Sequence, residues 1–461
     1  MQKKIVSFVK AFSLDRVSNE IKERAVRAFS DTIAVILAGA RGDIIQCVAK
    51  ALDIDLKTVA SEKGPVILGY GHRSVGLTEA VLLNAVAAHS CEFNDLFYGL
   101  PGHPSSVLVP VVLGLGERLH KNGHEVLEAY VCGLEVLGRI NEALMPEHHV
   151  KGFHSTSTAG IIGAAMAAGK LLGMDEKMLI DTCSMACTFA CGLRGNFGYT
   201  GNSLHVGNAV ANGLRAALYV NSGIRAREHL FDLPDGYFHA FGGNEKKMEE
   251  QLALLGEVSV LERPGLLIKK YPVCFSAYQA IEAARMLTER VLICPEDISR
   301  IQCLTSPVHY MSLPAEWPDN VYGQRFCVPF CVCWVLSGRK IREEVFSKPY
   351  YQEKNLLDLR KKITYSEDPE QQGEKGFGST IVRVYLKKGK VWEYRAYPNP
   401  EERVEGWTEE QLKEKFNECC NVSGNPKEAE RLWNICQSLE KSDDITTWLE
   451  QWPERIKNEN D

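Results

Sequence analysis

The spacing of apolar residues changes along this chain, and the change predicts two kinds of structure. Up to about residue 260, apolar side chains recur at helical spacing over lengths too great for strands. The predicted helices lie at residues 18–37, 76–89, 107–121, 156–172 and 206–218. The run Ile161-Ile-Gly-Ala-Ala-Met-Ala-Ala-Gly169 has few bulky side chains, so neighbouring backbones can approach it closely. We therefore expect a crowded helical core with this helix inside it.

After about residue 264 the pattern becomes mixed. Residues 301–306, 379–386 and 391–396 alternate apolar and polar side chains in the manner of half-buried strands. The last two are separated by Lys387-Lys-Gly-Lys390, which predicts a β-hairpin with Gly389 in its turn. Helical spacing also occurs here, at residues 275–291 and 328–336. This part of the chain should form a small α/β domain.

Two further helices are predicted near the end of the sequence, at residues 409–419 and 426–439. We expect them to pack back on the first domain. The predicted fold class is therefore mainly α: a large all-helical domain of residues 1–264, completed by residues 400–461, and a smaller α/β domain of residues 265–399. Stretches that combine proline and charge, at residues 262–265 and 398–402, are the predicted linkers.

Length and composition agree with this division and exclude some function classes. A chain of 461 residues is longer than one hydrophobic core usually supports, and its contents of 45% apolar and 24% charged residues are those of a folded protein. A net charge of −6 gives no electrostatic reason to expect nucleic acid. Lys10 interrupts the first apolar run before a signal peptide could form, and no run approaches the roughly 18 apolar residues of a membrane helix. We expect a cytoplasmic protein with no membrane partner.

The 15 cysteines do not form a recognisable metal or disulfide pattern. No Cys-x-x-Cys pair occurs, and the odd number fits reduced thiols. Two groups recur at short spacing, and both are predicted to be small buried hydrophobic residues rather than ligands of zinc or of an iron–sulfur cluster. They are Cys183, Cys187 and Cys191, and Cys327, Cys331 and Cys333.

Three segments place a histidine or an amide beside a predicted helix start. They are the runs that contain His103-Pro-Ser-Ser106, His154-Ser-Thr156 and Asn202-Ser-Leu-His205. Helix N-termini present unpaired N–H groups and partial positive charge, so several that converge would suit a carboxylate. Each histidine alone could equally be a structural cap. Asp95 could be a turn residue, or it could orient His103 as a base.

A fourth segment, Lys269-Lys270-Tyr-Pro272, lies at the predicted domain junction. Spacing alone favours a solvated pair of charges. The alternative is that one lysine points into a cleft, as an anion clamp or an acid. Motifs for nucleotide binding and zinc hydrolysis are absent: there is no Gly-x-Gly-x-x-Gly turn, no phosphate loop and no His-Glu-x-x-His helix.

Taken together, these segments resemble the MmgE/PrpD family, which includes 2-methylcitrate dehydratase, cis-aconitate decarboxylase and iminodisuccinate epimerase. The runs that carry the resemblance occur in the family's order and span about residues 5–400. They are His89-Ser-Cys-Glu-Phe-Asn-Asp95, His103-Pro-Ser-Ser106, Gly152-Phe-His154-Ser-Thr156, Gly192-Leu-Arg194-Gly-Asn-Phe-Gly198, Leu204-His-Val-Gly207, Lys269-Lys-Tyr-Pro272 and Arg325-Phe-Cys-Val-Pro-Phe330.

The resemblance implies a large helical domain with a smaller α/β lid and a site between them. It also implies that four residues occupy catalytic positions: Asp95, His103, His154 and Lys269. Arg194, Asn202 and Lys270 are expected to bind a small polycarboxylate substrate. The resemblance implies that no metal or organic cofactor is needed. It also implies that the protein is a homodimer.

Two residues depart from the family's pattern. The usual Thr-Lys-Pro-Leu-His run appears here as Gly201-Asn202-Ser-Leu-His205, so a neutral amide replaces a cationic side chain. The usual tyrosine of the Arg-Phe-Ser-x-Pro-Tyr run appears as Phe330. Because a carboxylate desolvated without a partner is costly, we expect a substrate with fewer carboxylates than a citrate analogue, or with carboxylates placed differently.

The leading hypothesis is a lyase that eliminates water or carbon dioxide from a small di- or tricarboxylic acid. His103, oriented by Asp95, would be the base and His154 the acid, although these roles could be exchanged. Lys269, Arg194 and helix N-termini would stabilise the enolate. An epimerase would use the same residues and return the proton to the opposite face. A binding protein that has lost catalysis ranks last, because the four predicted catalytic residues are all present.

Overall fold

In a computed structural model, the protein is described at residues 1–56, 64–73, 75–313, 316–373, 378–424 and 426–452. It divides into two compact units. The helical unit consists of Met1–Arg194, Ser203–Ile268 and Glu401–Asp461. The mixed unit consists of Gly195–Asn202 and Lys269–Pro400. The prediction of a mainly α protein is confirmed.

Helices dominate the chain as far as residue 268. In chain order they are α1 (Gln2–Ala11), α2 (Asn19–Gly39), α3 (Asp43–Ala51), α4 (Leu77–Ser90), α5 (Ser105–Arg118), α6 (Gly123–Leu144), α7 (Glu147–Val150), α8 (Ser155–Thr158), α9 (Gly160–Leu171), α10 (Glu176–Phe189), α11 (Gly201–Asn221), α12 (Tyr237–Ala240) and α13 (Glu245–Leu254). The helices that follow in the mixed unit are α14 (Tyr278–Arg290), α15 (Pro307–Ser312), α16 (Val328–Leu336) and α17 (Lys354–Arg360). The last part of the helical unit adds α18 (Glu409–Val422), α19 (Ala429–Gln437) and α20 (Ile445–Leu449).

The core of the helical unit lies where α4, α5, α6 and α9 pack together. Helix α9 is buried along nearly its whole length, as its small side chains predict. A Cβ on Gly163 of α9 would lie 2.8 Å from the Cβ of Leu137 and 3.1 Å from the carbonyl oxygen of Gly133, both on α6. The two backbones can approach this closely only because glycine has no side chain at the crossing.

Side-chain caps begin several helices where the sequence offers a suitable residue. Asn122 accepts from the backbone N–H of Glu125, and the Glu125 side chain accepts from the backbone N–H of Asn122, which forms a capping box at the start of α6. Thr408 and Gln411 form the same arrangement at the start of α18. These pairs fix the first residues of α6 and α18, which apolar spacing alone predicts only to within about one helical turn.

The helical unit contains four strands of two residues each: β1 (Val66–Ile67), β2 (Gly71–His72), β3 (Leu96–Phe97) and β4 (Leu266–Leu267). The mixed unit contains four longer strands: β5 (Ile298–Thr305), β6 (Ile363–Glu367), β7 (Thr380–Leu386) and β8 (Val391–Ala396). These four form one sheet with the order β6-β5-β7-β8. The pair β5 and β6 is parallel, whereas β7 pairs antiparallel with both β5 and β8. Gly389 has φ +79° in the turn between β7 and β8, so the predicted hairpin is confirmed.

Within the described residues, no single helix is long and apolar enough to cross a bilayer. Taken together, α2 and α3 reach the necessary length and apolarity, but the two meet at an angle of 77°.

Candidate active site

Four imidazole rings lie together in the helical unit. His89 is near the end of α4, His103 precedes α5, His154 precedes α8, and His205 is in the second turn of α11. The ring centroid of His89 is 5.1 Å from that of His103 and 5.6 Å from that of His154. The rings of His103 and His154 are 6.5 Å apart, and those of His154 and His205 are 4.9 Å apart. The four rings therefore form a single cluster.

The orientation of His103 is set by the backbone of Asp95. Nδ1 of His103 lies 2.7 Å from the carbonyl oxygen of Asp95. Because a carbonyl oxygen can only accept, Nδ1 carries the hydrogen and Nε2 of the neutral ring carries the lone pair. The backbone N–H of His103 donates to Oγ1 of Thr156 at 3.1 Å, which ties this segment to the start of α8. The contact therefore fixes the tautomer of His103, with the lone pair of the neutral ring on Nε2.

The carboxyl group of Asp95 has a different partner from the one that sequence reasoning suggests. It is fully buried and accepts hydrogen bonds from the backbone N–H of Ser105, at 3.2 Å, and from the Ser105 hydroxyl. The same hydroxyl lies 2.7 Å from the hydroxyl of Tyr130. Burial, opposed by the Ser105 bonds and assisted by the nearby charge of Asp31, raises the pKa of Asp95 to about 7. Asp95 therefore orients His103 through its main-chain carbonyl, while its carboxyl group accepts hydrogen bonds from Ser105, the first residue of α5.

His154 is paired with a second imidazole. Its Nδ1 lies 2.6 Å from Nε2 of His205, so one of these two nitrogens donates and the other accepts. Burial, followed by the neighbouring His205, His89 and His103, holds the pKa of His154 well below its usual range. Burial, with a contribution from His89, also lowers the pKa of His205 to about 4. Both rings are neutral at pH 7.

The segment that carries His154 pairs with the segment that carries Arg194. The backbone N–H of His154 donates to the carbonyl of Gly192 at 3.1 Å, and the backbone N–H of Arg194 donates to the carbonyl of Gly152 at 2.9 Å. Burial lowers the pKa of the half-buried Arg194, whose charge in turn helps to lower the pKa of His149. The helical unit therefore brings together His103, His154 and the main chain of Asp95, and it places the main chain of Arg194 beside the segment that carries His154.

The other three predicted site residues belong to the mixed unit. Lys269 is fully buried, and Asn202 is 1% exposed at the start of α11, where its backbone N–H donates to Tyr199 at 3.0 Å. Lys270 is half exposed, and its ammonium lies 3.0 Å from Oε1 of Glu282. Lys270 therefore forms a partly exposed ion pair with Glu282. The roles of Lys269, Lys270 and Asn202 in substrate binding and catalysis stay predictions.

A buried ion pair anchors the segment that follows Lys269. Nη1 of Arg325 lies 2.8 Å from Oε2 of Glu343 and donates to the carbonyl of Pro272 at 2.9 Å. The carbonyl of Arg325 accepts from the backbone N–H of Cys274, also at 2.9 Å. Arg325, which sequence analysis noted only as part of a motif, therefore fixes the backbone of the loop that begins at Lys269. By contrast, Phe330 is fully buried between the rings of Trp317 and Trp334.

Neither His89 nor His205 is among the predicted site residues. His89 is fully buried; Nδ2 of Asn94 lies 2.9 Å from its Nδ1, and Oε1 of Glu92 lies 3.5 Å from its Nε2. Since an amide nitrogen donates, Nδ1 of His89 accepts and Nε2 carries the hydrogen. A signal was present in the sequence: a titratable side chain at the end of an otherwise apolar helix, followed by Glu92.

The described residues contain no group of three or more His, Cys, Asp or Glu side chains that could hold a metal ion. Five of the six cysteines in the two close-spaced groups are buried, as predicted, and burial raises the pKa of Cys327 to about 12. The prediction was wrong for Cys191, which is exposed because α10 ends at Phe189, before the expected helical repeat is complete.

Comparison with known proteins identifies relatives over almost the whole chain. The MmgE/PrpD N-terminal domain matches residues 3–250, and the MmgE/PrpD C-terminal domain matches residues 271–441. A cis-aconitate decarboxylase of Homo sapiens is 23% identical over 454 residues, which cover 96% of this chain and 92% of that protein. A cis-aconitate decarboxylase of Aspergillus terreus (strain NIH 2624 / FGSC A1156) is 25% identical over 471 residues, which cover 95% and 92%.

Proposed function

The chain belongs to the MmgE/PrpD family, and from this premise we propose that it is a lyase that releases carbon dioxide or water from a small di- or tricarboxylic acid similar to aconitate or 2-methylcitrate. The curated relatives named above are cis-aconitate decarboxylases. The observation that carries the proposal is the cluster of four imidazoles, because it sets two proton carriers, His103 and His154, 6.5 Å apart.

Binding of a polyanion causes the imidazole pair to take up from solvent the proton that the reaction needs. The pKa values of His154 and His205 are lowered by burial, so both rings are neutral before substrate arrives. A carboxylate beside an imidazole favours the charged ring and raises its pKa. The substrate therefore binds together with a proton, which the hydrogen-bonded His154 and His205 share.

The two possible lyase reactions differ in which bond breaks after this point. In a dehydration, Nε2 of His103 removes the proton beside a carboxylate, the electron pair forms the new double bond, and the departing hydroxide takes the proton from His154. In a decarboxylation, the carbon–carbon bond to the carboxylate breaks, carbon dioxide leaves, and the carbanion takes the proton from His154. In both, fixed positive charge must stabilise the anion as it forms.

The remaining parts of the proposal follow from the family resemblance. The mixed unit acts as a lid, and the Lys269 ammonium provides the fixed positive charge. The enzyme works without a metal or organic cofactor, as a homodimer in the cytoplasm. If Lys269 has this role, Lys269→Met should lower kcat while the melting temperature stays high enough for the protein to remain folded in the assay. Activity lost only because the variant unfolds at the assay temperature would contradict the role.

The test of the function is a substrate panel read by NMR. Purified, chelator-treated protein is incubated in deuterated water with hydroxy-, unsaturated and imino-dicarboxylates and tricarboxylates. A lyase produces a new alkene signal or carbon dioxide from at least one of them. Deuterium in recovered substrate with no new product would instead indicate an epimerase, which two imidazoles on opposite sides of one carbon could also support. Loss of all activity on chelation would contradict the cofactor-free part.

Matched histidine variants connect any activity to the cluster. His103→Gln and His154→Gln should each lower kcat/KM by about 10²- to 10⁴-fold, the range for loss of a general acid or base. The control is His120→Gln, since the side chain of His120 is 73% exposed and lies at the surface. If all three variants keep full activity, the reaction takes place elsewhere. Ligand binding without turnover in the unmodified protein would support a binding protein.

A further inference from the structure

A buried lysine from the last part of the chain contacts the turn that carries Asp95. Lys415 is on α18, and its side chain is 4% exposed. Its ammonium lies 2.7 Å from Oδ1 of Asp31 on α2 and donates to the carbonyl of Phe93 at 2.8 Å. The same ammonium lies 4.2 Å from the centroid of the Phe93 ring. The charged group of Lys415 is thus enclosed by a carboxylate, a carbonyl and an aromatic face.

Stability alone does not explain this ion pair. Two charges removed from water regain their desolvation free energy only when the remaining hydrogen-bonding positions are satisfied. Oδ2 of Asp31 is buried and has no hydrogen-bond partner among the described residues. Burial raises the pKa of Asp31 even though Lys415 opposes this effect. Replacement of a buried ion pair by apolar residues of similar size is often neutral or stabilising.

The turn held by Lys415 orients two of the four imidazoles. The residue after Phe93 is Asn94, whose amide lies 2.9 Å from Nδ1 of His89. The next residue is Asp95, whose carbonyl oxygen lies 2.7 Å from Nδ1 of His103. Two consecutive residues therefore fix the tautomers of two histidines, and the only lysine ammonium that the described hydrogen bonds place on this turn comes from α18.

We propose that Lys415 is a positioning residue for the active site. Its ammonium bridges the Phe93 carbonyl and the Asp31 carboxylate, and this bridge fixes the turn that orients His89 and His103. The inference rests on the proposed function and adds a residue to it. Without the ammonium, the Phe93 carbonyl loses its donor and the turn can shift. A displacement of about 1 Å in a catalytic group can lower a rate about 100-fold.

The experiment separates positioning from simple attachment of α18. Lys415→Met leaves Asp31 buried and unpaired, so it lowers both the melting temperature and kcat. The double variant Asp31→Leu, Lys415→Met removes both charges and should recover most of the melting temperature. It does not restore a donor to Phe93, so kcat should stay about 10- to 100-fold below the unmodified enzyme, with KM changed much less. The matched control on the same helix is Lys413→Met, because Lys413 forms a surface pair with Glu409.

A spectroscopic measurement makes the test independent of catalysis. In protein labelled with ¹⁵N-histidine, the two ring nitrogens of His103 report which one carries the hydrogen, and His103→Gln identifies their signals. The double variant should lose the single Nδ1–H form of His103, whereas Lys413→Met should keep it. A double variant with recovered melting temperature and unmodified kcat and histidine signals would overturn the proposal. If no substrate is turned over by any form, the histidine signals alone still decide it.

Discussion

The main-chain carbonyl of Asp95 determines which nitrogen of His103 can act as a base. A carboxylate in the same place could accept a proton from the ring, whereas a carbonyl cannot, so the hydrogen of the neutral His103 ring stays on Nδ1. The carboxyl group of Asp95 is then available for another purpose and holds Ser105 at the start of α5. Its raised pKa of about 7 is the result of this burial.

Replacement of Asp95 by asparagine tests that description through stability. The folded-state pKa is raised above the unfolded value of about 3.8, so the native protein binds more protons and loses stability as pH rises from 4 to 7. An amide has no such loss. The free energy of unfolding of Asp95→Asn relative to the unmodified protein should therefore rise with pH across this window, by up to about 1.4 kcal/mol per pH unit. Its melting temperature should rise in the same direction. A difference that is constant with pH, measured by calorimetry, would contradict a raised pKa.

Asn202 is one of the two residues at which the sequence departs from the family pattern. A lysine here would add a cation at a buried position, since Asn202 is 1% exposed. If the absence of this lysine limits the substrate to fewer carboxylates, Asn202→Lys should raise kcat/KM for tricarboxylates about tenfold or more relative to kcat/KM for dicarboxylates. Asn202→Gln serves as the neutral control. An unchanged ratio in steady-state assays would remove the argument about specificity.

The histidine site shows how far single residues could be predicted. Asp95, His103 and His154 were identified because each lies beside a helix start or in a motif. The neighbours His89 and His205 were given no role, because a sequence does not show which helices meet, and the contact of His89 with both His103 and His154 depends on that.

At the scale of elements, the close crossing of α6 and α9 depends on two glycines. Gly163→Ala would place a Cβ 2.8 Å from Leu137 and 3.1 Å from the carbonyl of Gly133, which the packed backbones cannot avoid without moving apart. Overpacking of this kind costs about 1–3 kcal/mol, and the higher helix propensity of alanine offsets at most about 1 kcal/mol. We expect a lower melting temperature. Gly195→Ala is the control, since its Cβ would meet nothing within 4 Å; equal melting temperatures would show that the crossing can relax.

The elements also show which local signals are sufficient. Helix α16 and strand β8 were predicted with the bounds they have, because long apolar or alternating runs end at clear breaks. The predicted helix 156–172 is instead divided at Ala159 into α8 and α9. Strands β3 and β4 pair although about 170 residues separate them, and two-residue strands have no periodicity from which to predict them.

At the scale of the whole molecule, buried acids and buried histidines have opposite effects on stability as pH changes. Burial raises the pKa of Asp31, Glu117 and Glu135, so their contributions favour the fold at lower pH. Burial lowers the pKa of His148 and His149 to about 4, so theirs favour the fold at higher pH. The net dependence is a difference between these two groups, and it is best measured one residue at a time.

His148→Gln isolates one member of the second group. The unfolded histidine titrates near 6.5 and the folded one near 4, so the unmodified protein loses stability as pH falls through this window. Glutamine does not titrate. The stability of His148→Gln relative to the unmodified protein should therefore increase as pH falls from 6.5 to 4, opposite in sign to Asp95→Asn. Chemical denaturation at several pH values measures it, and a slope of the same sign for both variants would show that one of these pKa directions is wrong.

The contact between Lys415 and Phe93 also bears on how the protein is made. The two residues are separated by 322 positions, and the whole of the second unit is translated between them. At about 5–20 residues per second, a ribosome needs about 15–60 s to pass from one to the other. During that interval the face of α2 that packs against α18 is uncovered, and the turn that orients the imidazoles still lacks its lysine. The turn between Phe93 and Asp95 thus receives its buried lysine contact late in synthesis.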